Sequence, residues 1–173
     1  MGLMEALLRH HGPATAHNIY QTTCPIVKAS IGQHIRHSMD HIEHAVRAAL
    51  DPEHELHYDR RERGGADENQ WDAAHDRLHK IANLIDNLSS TASDSVTEHP
   101  VGALFMLSGD TDTEFRLHST LARELGFAAH HAIHHLAMVK IIATNEVGKL
   151  KESDLPPDFG RAPSTVNYDH SLK

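Results

Sequence analysis

Four histidines fall within six positions of AAHHAIHHLAMVKII, residues 128–142, a stretch otherwise rich in apolar residues. Neutral imidazole offers a lone pair to a cation and suits zinc, nickel, copper or iron. At about 100° per residue, Leu121, Leu125, Ala128, Ala132, Val139, Ile142 and Ala143 share one helical arc, and His131 and His135 lie on its edge within roughly 40° of each other. His130 and His134 point nearer the opposite side. An i, i+4 pair sets two ring nitrogens one turn apart, where both can reach one ion. With 18 histidines in 173 residues such pairs also arise by chance, and His75/His79 is another. Taken alone, the pair reads preferably as a solvated or hydrogen-bonded face.

A second segment adds to it. HIRHSMDHIEH places His34, His37, His41 and His44 within roughly 80° of arc, beside a stripe of Ile31, Ile35, Ile42 and Val46. If this edge packs against His131 and His135, three or more imidazoles meet at one point. Three protein ligands with open positions characterise a catalytic metal site rather than a closed structural one. The alternative is a histidine-rich solvated groove between helices. Other metal patterns are missing from the string. No glutamate precedes a histidine by three residues, as a ferritin-like di-iron site needs, and there is no His-Glu-x-x-His. Nor does any histidine precede a glutamate by four residues, as a haemerythrin-like carrier would require.

The elements that must position these groups follow from periodicity and breakers. Residues 1–22 read as helix, interrupted at Gly12-Pro13 and so in one piece or two. Residues 29–50 form a helix opened by Ser30 and stopped before Asp51-Pro52. YDRRERGGADENQ is an exposed connection, and residues 69–88 carry a narrow stripe of Trp71, Ala74, Leu78, Ile81, Ile85 and Leu88. SSTASDSVTEHP is loop; VGALFMLSG is a strand, an extended crossover or a buried turn. The longest helix spans 117–147 and ends near Gly148, and the proline-rich tail from 155 to 173 runs extended across the surface. Long helices with almost no strand signal predict a four-helix bundle, and the length predicts a single domain over residues 1–173.

Composition narrows the partners. A net charge of -8 repels phosphate backbones and anionic lipid surfaces, so no nucleic acid and no membrane partner is expected. No window approaches the ~20 apolar residues of a membrane span. The single Cys24 cannot make an internal disulfide and the N-terminus lacks the apolar run of a signal peptide, so the expected compartment is cytoplasmic.

The segments SIGQHIRHSMDHIEH (30–44), HYDRRER (57–63), STLARELGFAAHHAIHHLAMVKI (119–141) and DFGRAPSTV (158–166), in this order, resemble the DinB-like (YfiT-like) metal-binding superfamily. The resemblance implies an all-α four-helix bundle with a long crossover connection between helices 3 and 4. It also implies one divalent metal ion, zinc or nickel in the first place and iron or manganese in the second, on three histidines. One ligand follows the helix-opening serine by seven residues, which makes it His37 after Ser30; the others are the HxxxH pair His131 and His135. By angle, His34 and His41 sit closer to the apolar stripe than His37, and either could replace or supplement it; the family pattern selects His37. Some members of the family are thiol transferases and many have no assigned substrate. The implied function is therefore a metal-dependent enzyme acting on a small molecule, by thiol transfer or hydrolysis through a metal-activated thiolate or water. The alternative is a non-catalytic metal-binding or interaction bundle. A homodimer is in keeping with the family.

Five further positions carry expectations. Glu124 lies on the face of His131, ~10 Å away by helix rise, as a pocket acid or, preferably, an arginine salt bridge. Asp40 supports a ligand histidine or, preferably by angle, is a solvated carboxylate. The arginines of Tyr58–Arg63 bind an anionic substrate or are solvated and paired with acids. Trp71 is expected in the core, and Cys24 is expected to be an inert thiol.

Overall fold

In α3, Ile31–Leu50, the Ser30 Oγ accepts from the Gln33 amide while the Gln33 side chain accepts from the Ser30 amide. This reciprocal cap satisfies two of the donors that a helix start leaves without partners. The computed structural model of the chain describes residues 2–51, 53–60, 62–91 and 98–172, with the backbone alone at Ser90 and Thr91. The first predicted helix is two pieces, α1 (Gly2–His11) and α2 (Pro13–Gln21), with Gly12 at φ 74 between them and Pro13 opening the second. A short α4 (Ala66–Asn69) precedes α5 (Trp71–Thr91). The long helix α6 is Leu121–Thr144, and α7 is Pro163–Ser171.

The fold is mostly helical, but the expectation of almost no strand is corrected. β1 (Leu56–His57), β2 (Pro100–Met106) and β3 (Glu114–Thr120) form a sheet in that order, the first pair parallel and the second antiparallel. VGALFMLSG is thus mainly strand. Leu117–Thr120, assigned above to the long helix, pair instead with Pro100–Ala103. Thr120 then caps α6, its Oγ1 accepting from the Arg123 amide at 3.4 Å. At the other end the helix stops at Thr144 rather than 147. Gly148 and Leu150 turn back to donate to the carbonyls of Ile142 and Ala143, and a Cβ on Gly148 would meet the Ala143 carbonyl at 2.2 Å. The tail is not simply extended either: it holds a 3-10 turn at Glu152–Asp154 and α7, which Pro163 opens. Of the predicted loop 89–100, residues 92–97 lie outside the described residues.

Two apolar clusters hold the elements. One joins α1, α2, the first half of α3, α5 and the end of α6 through Leu7, Tyr20, Ile31, Met39, Ile81 and Ile142. The other joins the second half of α3, the sheet and the start of α6 through Ala45, Leu56, Tyr58, Ala103, Leu121 and Ala128. The helices α3 and α6 therefore run antiparallel, and the histidines of both lie between the two clusters. Among the described residues no helix is long and apolar enough to cross a membrane.

Candidate metal centre

The α3/α6 seam pairs the two histidine-bearing edges. Nε2 of His131 lies 2.9 Å from Nε2 of His37 and 3.0 Å from Nε2 of His135. One ligand atom from each of the three falls within 4.8 Å of the others, the only such grouping of three or more among the described residues. A ring nitrogen holds in its plane either one proton or one lone pair. His131 Nε2, facing two other ring nitrogens, has one proton or one lone pair to share between them, and a shared hydrogen bond is weak. A cation set among them would engage three lone pairs at once, which is the chemistry that this donor set fits.

The surroundings agree with that tautomer. If the Nε2 atoms face a cation, the proton of His135 stands on Nδ1. Nδ1 of His135 lies 2.7 Å from Nδ1 of His34, a hydrogen-bond acceptor on the far side of the ring. His34 is then protonated on Nε2, a buried atom with no hydrogen-bond partner among the described residues. Burial, reinforced by the neighbouring imidazoles, pushes His135 down to about 3 and also lowers His34. Both rings are therefore neutral at neutral pH, the form that binds metal.

The remaining histidines divide as their helical angles suggest. His34 and His41 are the more buried, and His37 is half-buried at the flank. The His41 ring lies 4.0 Å from that of His131 and stacks on Tyr58 at 4.6 Å. His130 and His134 are exposed. His44 turns away to His54, with 3.1 Å between ring nitrogens, and His75 meets His79 on the exposed face of α5 at 3.2 Å.

Glu124 is fully buried, accepting from Ser119 Oγ and Arg123 Nη1 at 2.6 Å each, so the arginine bridge is present. Burial, with the Glu124 carboxylate second, raises the pKa of Tyr58. The preferred view of Asp40 as solvated is corrected. It is buried, and it accepts from Arg36 at 2.6 Å and from Arg77 at 2.8 Å. Sequence reading missed the cause, which is that α4 and α5 cover this face of α3. Glu68 on α4 is buried and takes the other side of Arg36 at 2.8 Å. Gly32 permits this approach, since a Cβ there would sit 2.0 Å from the Glu68 carbonyl.

Within the Tyr58–Arg63 run, Tyr58 is core and Asp59 accepts from the Met106 amide. Arg60 pairs with Glu114 at 2.7 Å, Arg61 lies outside the described residues, and Arg63 is exposed. Cys24 is buried. Trp71 is only half-buried; its ring meets Tyr20 edge-on and lines an apolar cavity of about 310 Å³ with Leu78, Leu136 and Phe159. A separate, open cavity of about 380 Å³ reaches the centre itself, with His34, His37 and His135 in its wall.

No protein-family model and no solved structure matches the chain. FK506-binding protein 5 of Rhizopus delemar is 33% identical to it over 113 residues, which are 65% of this chain and 27% of that protein. The matched segment spans about a quarter of that relative, so the ligand in its name is a property of that protein, and the chain is similar to a part of it.

Proposed function

We propose that this chain binds one divalent metal ion through His37, His131 and His135, and that it is a metal-dependent enzyme acting on a small molecule by thiol transfer or hydrolysis. The observation that carries the reading is the convergence of three Nε2 atoms, two of the rings standing in the wall of an open cavity. Zinc or nickel suits an all-imidazole donor set, with iron or manganese next. Such an ion, when bound, lowers the pKa of a coordinated water or thiol and so supplies a nucleophile near neutral pH.

The chain's own groups do the rest. His34 accepts the Nδ1 proton of His135 and fixes that ring's orientation. Tyr58 stacks on His41, whose ring in turn lies against those of His37 and His131. The cavity admits a small molecule to the histidines, which favours an enzyme over a closed, purely structural centre. A four-helix bundle of the DinB-like kind, with strands β2 and β3 built into its crossover, is the architecture we propose to accompany this site.

The test is elemental mass spectrometry of the untagged protein purified without added metal, beside a His131→Ala/His135→Ala variant. About one ion per chain, lost in a variant that keeps its circular dichroism spectrum, is the expected result. Sub-stoichiometric metal indifferent to the substitutions overturns the assignment.

A further inference from the structure

The apolar cavity of about 310 Å³ lies between α5 and α6 and shares no lining residue with the open cavity beside the histidines. Both helices pack on α3 and hardly on each other. Ile35 and Met39 of α3 form the floor, Trp71 and Leu78 one wall, Ala132 and Leu136 the other. No side chain in the lining carries a charge. Its polar groups are the Trp71 indole and the Ser38 hydroxyl, and the hydroxyl already donates to the His34 carbonyl at 2.9 Å. The space opens to solvent at its rim, where Leu78 is 38% exposed.

Contacts outside the cavity keep its walls from closing. Arg77 fixes α5 to α3 and α4, its guanidinium meeting Asp40 and Glu43 at 2.8 Å and Asp67 at 2.7 Å. The histidine seam fixes α6 to α3, with 2.9 Å between Nε2 of His37 and Nε2 of His131. At one end the tail contributes Pro156 and Phe159. Gly160, at φ 70, brings that tail so close to α6 that a Cβ on it would stand 2.8 Å from the Leu136 carbonyl. The void is therefore held open by polar and backbone contacts on three sides. Water gains little in such a space, since a buried water needs two to four polar partners.

We propose that this cavity is a binding site for a small uncharged apolar molecule, about the size of two fused six-membered rings, and that it acts independently of any ion at the histidines. The size follows from the volume: an apolar cavity of about 150 Å³ stays dry and takes up one benzene ring, and this one is about twice as large. The absence of charge follows from the lining. A carboxylate or ammonium group drawn into it would lose its water and find no counter-ion. Trp71, whose ring meets Tyr20 edge-on, supplies an aromatic surface to the occupant.

Trp71 is the only tryptophan of the chain, so its fluorescence reports on the cavity directly. The full chain is titrated with azulene, an uncharged bicyclic hydrocarbon that accepts the excitation of tryptophan, and with azulene-1-carboxylate. Saturable quenching by azulene at one site per chain, with a Kd on the order of 10–100 µM, is the expected result. The same Kd is expected after chelator treatment, and the carboxylate binds about tenfold more weakly or worse. Ala132→Phe, and the smaller Ala132→Leu should the first not fold, places extra side chain in the space and weakens azulene binding by about tenfold in a protein that keeps its circular dichroism spectrum. The absence of saturable quenching in the wild type overturns the proposal, including the case in which a second copy of the chain fills the gap. Quenching that survives in the folded variant, equal affinity for the carboxylate, or binding that disappears with the chelated ion overturns it as well.

Discussion

Replacing His34 by leucine should weaken metal binding without touching a proposed ligand. In the metal-bound tautomer His135 donates its Nδ1 proton to His34 Nδ1 across 2.7 Å. A hydrogen bond of this kind in a half-buried setting contributes about 1–2 kcal/mol, or roughly 5–30-fold in affinity, which overlaps the range known for groups that orient a ligating histidine. Little else is lost with the ring. Its Nε2 is buried and has no hydrogen-bond partner among the described residues, so leucine also removes an unsatisfied polar atom. The bond from Ser38 Oγ goes to the His34 backbone carbonyl and survives the substitution. Metal-free stability should change by no more than about 1 kcal/mol, since His135 Nδ1 loses its partner on a half-buried ring while the unsatisfied His34 Nε2 is removed. Zinc titration against a chromophoric chelator reads the affinity, and thermal denaturation of the chelator-treated protein reads the fold. In a His135→Ala background His34→Leu should cause no further loss, because the ring it orients is gone. Zinc affinity within twofold of wild type for His34→Leu, in a normally folded protein, would refute both the tautomer and the role given to His34.

Arg36→Met should destabilise the fold by about 3 kcal/mol, the low end for breaking a buried ion pair, because Asp40 keeps Arg77 and Glu68 keeps the Gly64 amide. For a chain of this size that lowers Tm by about 6–12 °C, and adding Glu68→Gln and Asp40→Asn should recover part of it. A shift under about 2 °C would mean that the network contributes little. Stability of the metal-free protein should fall as pH drops below about 6.5, the ordinary histidine value. Burial lowers the folded pKa of both His44 and His54, helped by the neighbouring His54 in the first case and by the Arg47 guanidinium in the second, so below that pH the unfolded chain binds more protons than the folded one. Thermal denaturation at about pH 7.5 and 5.5 should show the drop, and it should be smaller in a His44→Gln/His54→Gln variant; an unchanged drop would assign it to other groups.

The site was more legible in the sequence than the fold around it. Helical angle placed His131 and His135 on the edge of the α6 core face and left His130 and His134 exposed, because the period of a long helix follows directly from residue spacing. The same angles marked His34 and His41 as the more buried of the α3 histidines, while the ring that lies against both members of the α6 pair is His37, on the flank turned to one neighbour. That distinction depends on which helix packs where, and angle alone does not contain it. The sheet escaped for a related reason. Glu114–Thr120 is short and its two large apolar residues, Phe115 and Leu117, are both exposed, so its last four residues merged by composition into the helix that follows. Asp40 was misjudged because α4, a single turn supplied by ADEN, has too few residues to show a period, and it covers a face that would otherwise meet water.

The antiparallel α3/α6 seam joins residues that lie far apart along the chain. His37 and His131 are 94 positions apart, and the loop between them contains α4, α5 and the whole sheet. An ion held by both would act as a reversible cross-link on more than half the molecule. In the chain-entropy description, closing a loop of about 100 residues stabilises the folded state by up to ~4.7 kcal/mol when the closure persists in the unfolded chain. A metal that leaves on unfolding instead ties its occupancy to the integrity of everything between the two helices. Damage anywhere in that loop, including at positions remote from the histidines, would then register at the centre as a weaker hold on the ion.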